Sequence, residues 1–197
     1  MKVGVFLFRG QPVHNAHMWH IERALEENDL VCLVVGSSNK AEMKRNPFSI
    51  ELRKEMVKGA LHNVKDFNRV LMFELPDWSQ ESITEDNTIW GHYLYYNVVS
   101  RIGQKRFKIY YSDEPEIIQS WLDDEIKEYV ELALTPREEI FSGLSATRIR
   151  EALLQDTEDG NNYLKRCLPD NVYNMVPKLR DIWNKVLNNP KDDFTMI

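Results

Sequence analysis

Arg9-Gly10-Gln11-Pro12-Val13-His14-Asn15-Ala16-His17 separates two segments of different periodicity, and that switch decides the fold. Before it, Val3, Val5, Phe6, Leu7 and Phe8 form a near-continuous apolar run, the mark of a strand buried on both faces. After it, Met18, Ile21, Ala24 and Leu25 recur at i, i+3, i+6 and i+7, one face of an amphipathic helix. The nine residues are therefore a strand-to-helix turn. Backbone N–H groups at a helix start lack intrahelical partners, and the helix dipole is positive there, so the turn suits an anion. His14 and His17 stand three residues apart and share one side of that helix start. They read as a polyphosphate site. A helix cap or a metal pair would use the same spacing, but zinc is disfavoured because no third His, Cys or acid stands at ligand spacing nearby.

The alternation continues outward. Apolar runs predict strands at 2–8, 30–36, 69–74, 107–111 and 129–134, and helical patterns fall at 16–27, 49–61, 88–102, 114–124 and 147–155. Strands alternating with helices predict an open parallel α/β sheet with right-handed crossovers. Residues 1–155 form that α/β unit. In the tail, 156–162 reads as a polar, turn-rich break before a helix at 172–187, so 156–197 is a helical C-terminal extension packed on the same unit. No G-x-G-x-x-G or P-loop is present, which removes the common dinucleotide and Walker readings.

Composition narrows the class further. The chain has 197 residues, 43% of them hydrophobic and 28% charged, and it carries a net charge of −6 from 25 basic and 31 acidic side chains. An acidic chain is a poor general nucleic-acid binder, which needs a basic face to release counterions. No apolar run approaches 18 residues and no signal-peptide pattern opens the chain, so neither membrane nor export is expected. Cys32 lies inside an apolar run and far from Cys167, so it reads as a core residue of a cytoplasmic protein.

Further polar clusters follow strands or open helices, where ligands sit in a parallel sheet. Ser37-Ser38-Asn39-Lys40 and Asn46-Pro47-Phe48-Ser49 flank the second strand and second helix, and Arg53 lies one turn inside that helix. Ser142-Gly143-Leu144-Ser145-Ala146-Thr147-Arg148-Ile149-Arg150 offers a capped helix start with hydroxyls and arginines, a second phosphate cradle or simply a capped surface helix. Asp77 follows the third strand, and Asn87 and Trp90 share a helix face. An indole can stack on a flat cationic ring, though a single Trp is more often core or interface.

These residues resemble one family over most of the chain, from Val3 to about Leu153. The family is the archaeal-type nicotinamide-nucleotide adenylyltransferases, within the H-x-G-H nucleotidylyltransferase superfamily. Arg9, Gln11, Pro12, His14 and His17 match R-x-Q-P-x-H-x-G-H. Ser37, Lys40, Asn46-Pro47-Phe48 and Arg53 match its adenine-side loop. Pro76-Asp77 and Asn87-x-x-Trp90 match its nicotinamide side, Tyr111-Ser112 and Pro115 its Y-S-G-N-P loop, and Thr147-x-x-Arg150 its closing motif. The chain departs from the pattern at Phe8, where the family usually has Gly, and at Gly10, where it has a bulky apolar residue. Ala16 replaces the Gly of H-x-G-H, and Asp113-Glu114 replaces Gly-Asn near the mononucleotide pocket.

The resemblance implies a Rossmann-like open parallel sheet with helices on both faces. It also implies transfer of AMP from ATP to nicotinamide mononucleotide, giving NAD and pyrophosphate. It assigns catalysis to His14, His17, Arg9 and Arg150. It places ATP on those four with Phe8, Gln11, Ser37, Lys40, Phe48, Ser145 and Thr147, and the mononucleotide on Asp77, Asn87, Trp90 and Ser112. Mg²⁺ is expected on the ATP phosphates and water, with no dedicated protein ligands. Relatives are often oligomeric, so a homo-oligomer accords with the resemblance. Transfer to another phosphate monoester, such as phosphopantetheine, riboflavin phosphate or glycerol phosphate, or nucleotide sensing without catalysis, would use much the same motifs.

Overall fold

The computed structural model describes residues 1–77, 86–112, 115–136, 139 and 144–191. Strands β1 (Val3–Phe8), β2 (Leu30–Val35), β3 (Val70–Glu74), β4 (Phe107–Tyr111) and β5 (Val130–Leu134) pair in parallel, in the order β3-β2-β1-β4-β5. Each lies within one residue of its predicted span. The helices are α1 (Asn15–Glu27), α2 (Ile50–Leu61), α3 (Asp86–Ile102), α4 (Pro115–Ser120), α5 (Ala146–Leu153), α6 (Glu158–Cys167), α7 (Asp170–Tyr173) and α8 (Val176–Asn188).

Alternation along each strand sorts side chains into two apolar layers. Phe6, Phe8, Val31, Leu33 and Val35 face one cluster, covered by α1, α2 and α5 to α8. Val3, Val5, Cys32 and Val34 face the other, covered by α3 and α4. The sheet is thus buried on both sides, as its near-continuous apolar runs require. Cys32 is wholly buried and unpaired, and burial pushes its thiol up to about 11, consistent with a core role. No described helix is long and apolar enough to cross a membrane.

Three helical expectations need correcting. The segment at 156–162 is not a break, because Thr157 accepts the Gly160 N–H at 3.2 Å and caps α6. Glu158 and Asp159 fall in its first turn and Lys165 and Arg166 in its last, so both ends suit the helix dipole. Polar composition concealed a helix that buries only Gly160, Leu164 and Cys167. The tail helix in turn divides at 174–175, and α8 begins with a Pro in its first turn, where a missing N–H is harmless.

The helix expected over 114–124 is shorter, ending at Ser120, whose Oγ turns back to donate to Ile117 O at 2.7 Å. Trp121 follows in a turn pressed against α3. A Cβ on Gly91 would lie 1.9 Å from Trp121 O, so only glycine permits this approach.

The chain runs β1-β2-β3 toward one edge and then returns to place β4 on the other side of β1. Neighbouring crossovers diverge there, which opens a crevice beyond the strand carboxyl ends.

Candidate active site

A cleft of about 390 Å³ occupies this crevice, and segments following all five strands line it. Phe8, Arg9 and Gln11 come from the β1–α1 turn, and Ser37 follows β2. Asp77 follows β3, Ser112 follows β4, and Ser145, Thr147 and Arg150 come from the start of α5. A larger hollow of about 680 Å³ lies at the opposite, amino-terminal end of the strands. Within it Lys108 pairs with Glu131 at 2.9 Å and Glu27 at 3.4 Å. The smaller cleft is the one built for a charged ligand.

The two histidines divide their work. His14 occupies the cap position of α1 and is 4% exposed, while His17 lines the cleft. Their rings stack at 3.7 Å. The backbone N–H of His14 donates to His17 Nδ1 at 3.2 Å. That bond commits the Nδ1 lone pair and puts the ring proton on Nε2, ready to donate to an anionic oxygen. Phe8 supports the same ring from below, centroid to centroid 4.8 Å.

The departures at positions 8 and 10 are linked. Gly10 has φ of 64°, the left-handed region that favours glycine. A Cβ there would lie 3.2 Å from the Phe8 ring. With Phe8 in place, a side chain at position 10 would crowd its ring.

Arg53 from α2 is the buried anchor of the site. It is 0% exposed and donates to Gly36 O at 2.7 Å, Arg9 O at 2.9 Å and Ser37 O at 2.9 Å. One guanidinium thus joins the turns after β1 and β2. Burial lowers it to about 10, which leaves it charged at neutral pH. Gln11 makes a second tie: its amide accepts from Phe48 N at 2.8 Å and donates to Phe48 O at 3.0 Å. The Phe48 side chain is wholly buried in the core and does not line the cleft. Lys40 also stays off the cleft wall, in a turn where its N–H donates to Ser37 O at 3.1 Å.

Arg150 reaches back across the cleft, donating to Gln11 O at 2.8 Å and to Thr147 Oγ1 at 3.3 Å. Burial, and then the charges of Arg45 and Arg9, hold its guanidinium below the usual range. Ser145 caps α5 by accepting the Arg148 N–H at 3.3 Å, which aims the positive helix end at the cleft. Arg45 lines the cleft as well, and the sequence reading passed over it. Nothing local distinguishes it from a surface cation; only the loop's return to the sheet brings it inward.

Opposite this cationic set, Ser37 Oγ donates to Asp77 Oδ2 at 3.0 Å, and Asn39 Oδ1 accepts the Asp77 N–H at 2.9 Å. Trp90 and Trp121 line the cleft in an edge-to-face pair, 6.3 Å apart at 83°. Asn87 does not reach the wall. It is 0% exposed, and its Nδ2 donates to Ser120 Oγ at 3.0 Å. Asp113-Glu114 and Ser142-Gly143 lie outside the described residues.

Three arginines and an imidazole, gathered at the switch point of a parallel sheet, make a cationic cleft of the kind a nucleotidyltransferase uses. Residues 7–152 match the cytidylyltransferase-like family. The nicotinamide-nucleotide adenylyltransferase of Thermococcus kodakarensis is 31% identical over 158 residues, covering 79% of this chain and 74% of that protein. The chain belongs to the cytidylyltransferase-like family, among its nicotinamide-nucleotide adenylyltransferases.

The Saccharolobus solfataricus protein of that name is 34% identical over 95 residues, 48% of this chain and 52% of its own length. A solved bifunctional NMN adenylyltransferase/ADP ribose pyrophosphatase from Francisella tularensis, complexed with AMP and a manganese ion, has the same fold. Its TM-score is 0.74 at 21% identity, covering 95% of this chain and 52% of that one. The match therefore spans about half the length of these two proteins.

Proposed function

We propose that this chain transfers AMP from ATP to nicotinamide mononucleotide, giving NAD and pyrophosphate. The observation that carries the reading is one cleft lined by Arg9, Arg45, Arg150 and His17 together with an aromatic wall, Trp90 against Trp121. The cations and the α5 start take the triphosphate, and the tryptophans take the flat ring of the mononucleotide with Asp77 and Ser112.

In this mechanism an oxygen of the mononucleotide 5′-phosphate attacks the α-phosphorus in line. The bond from that phosphorus to the bridging oxygen breaks, and pyrophosphate leaves with the electron pair. A phosphate monoester is already ionised at neutral pH, so no strong base is needed and alignment dominates. His17 Nε2–H donates to an α-phosphate oxygen as charge builds in the transition state. His14 fixes that ring by stacking and by its backbone bond. Arg9 and Arg150 neutralise the transferred and departing phosphates, and Ser37, Ser145 and Thr147 donate around the nucleotide. Mg²⁺ held by phosphate oxygens and water would supply further charge neutralisation.

The test is incubation with ATP, Mg²⁺ and nicotinamide mononucleotide, following NAD and pyrophosphate together. Equal release of both is expected, and the nicotinic-acid analogue then measures selectivity. ATP binding with no dinucleotide formed would overturn the acceptor and direct the search to other phosphate monoesters. Trp90→Ala should raise KM for the mononucleotide and leave that for ATP near wild type; a rise confined to ATP contradicts the aromatic wall's role.

A further inference from the structure

We propose that α8 is a positioning element for the triphosphate end of the site, with the Trp183 ring holding the Arg150 guanidinium in its working orientation. This rests on the reading that Arg150 meets the ATP phosphates. Arg150 Cζ lies 5.6 Å from the Trp183 ring centroid, within cation–π range. The guanidinium is therefore held on three sides: by Gln11 O, by Thr147 Oγ1 and by the indole face. It needs holding, because Arg9 and Arg45 repel it when no phosphate is present.

The indole contributes its face rather than its N–H. Trp183 is 7% exposed, and its Nε1 has no hydrogen-bond partner among the described residues. A buried donor left unmade is unfavourable, so hydrogen bonding does not explain a tryptophan here.

The same helix grips α5 beyond Arg150. Arg180 Nε donates to Leu153 O at 2.8 Å, one of the carbonyls that a helix end leaves without an intrahelical partner. Its other nitrogens reach Asp156 Oδ1 at 3.0 Å and Asn161 Oδ1 at 2.9 Å. Just past α8, Lys191 N donates to Glu42 O at 2.9 Å, and Lys191 Nζ pairs with Glu42 Oε2 at 2.9 Å. Glu42 belongs to the loop that carries Arg45. The tail thus braces both segments that bring these cations to the cleft, and Trp183 is the part that touches a guanidinium in the cleft.

The test compares Trp183→Phe and Trp183→Leu with wild type by calorimetric binding of ATP and, separately, of nicotinamide mononucleotide, with thermal melts of each. Trp183→Leu should weaken ATP binding about three- to tenfold and leave mononucleotide binding unchanged, and Trp183→Phe should retain most of the ATP affinity. ATP affinity in Trp183→Leu equal to wild type overturns the proposal. So do equal losses in both variants, or losses for both ligands that follow the melting temperature, since those mark packing alone. Because the readout is ATP binding, it stands apart from the acceptor: a wild type that binds ATP but makes no NAD refutes only the proposed reaction.

Discussion

In the proposed reaction His17 is the residue on which the chemistry turns, and its usefulness comes from what its neighbour does to it. With Nδ1 committed to the His14 backbone, the ring presents a fixed Nε2–H donor whether or not substrate is bound. Removing one preorganised donor of this kind costs about 10²–10³ in kcat. His17→Ala is expected to lose that much with little change in KM, as steady-state kinetics would show; near-wild-type turnover would remove His17 from the mechanism. Arg53 makes a different kind of demand. Arg53→Met leaves Arg9 O, Gly36 O and Ser37 O without their donor, and chemical denaturation should report a loss of at least about 3 kcal/mol. At this scale the sequence is legible by type more than by task. It nominates both histidines, but only the stacking geometry shows that His14 lies behind His17. It nominates Phe48 and Lys40, but Phe48 faces the core because Gln11 grips its backbone from 37 residues away.

Helices and strands tell a more even story. The five strands were readable because burial on both faces leaves an unbroken apolar signature that no loop imitates. The α6 helix was not, because its stability lies in a Thr cap and charged ends, which read as turn chemistry until the cap bond is seen. Between α3 and the turn that follows α4 the backbones approach so closely that a Cβ on Gly91 would lie 1.9 Å from Trp121 O. Gly91→Ala would drive a methyl into Trp121 O and push the Trp121 turn away, which disturbs the edge-to-face pair with Trp90. The expected outcome is a lower melting temperature together with a raised KM for the mononucleotide and a nearly unchanged KM for ATP. A variant that melts lower but binds both substrates normally would show that the contact serves the fold alone.

The whole molecule carries a pH limit set far from its charged surface. His20 is 2% exposed, stacks on Phe6 at 4.9 Å, and is lowered to about 4 by burial and then by Arg23. Its folded value lies below its unfolded value, so the stability it supports is complete above about pH 6.5 and is lost as pH falls toward 4. A shift of this size corresponds to roughly 3 kcal/mol. His20→Phe should flatten that slope when unfolding free energies are measured between pH 7 and 4, and an unchanged slope would acquit His20. Glu27, lowered first by the Tyr110 hydroxyl, adds its own loss of stability once pH falls into the ordinary carboxylate range, so the His20 slope is read above that range.

The bond from Arg150 to Gln11 joins residues 139 apart in the chain. Closing so long a span carries a larger loop-closure cost than forming the local strand–helix units. A half-synthesised or partly unfolded chain therefore lacks the assembled cleft, however much secondary structure it has. Any turnover measured on this protein counts finished molecules only, which makes its catalysis an assay of its own biogenesis.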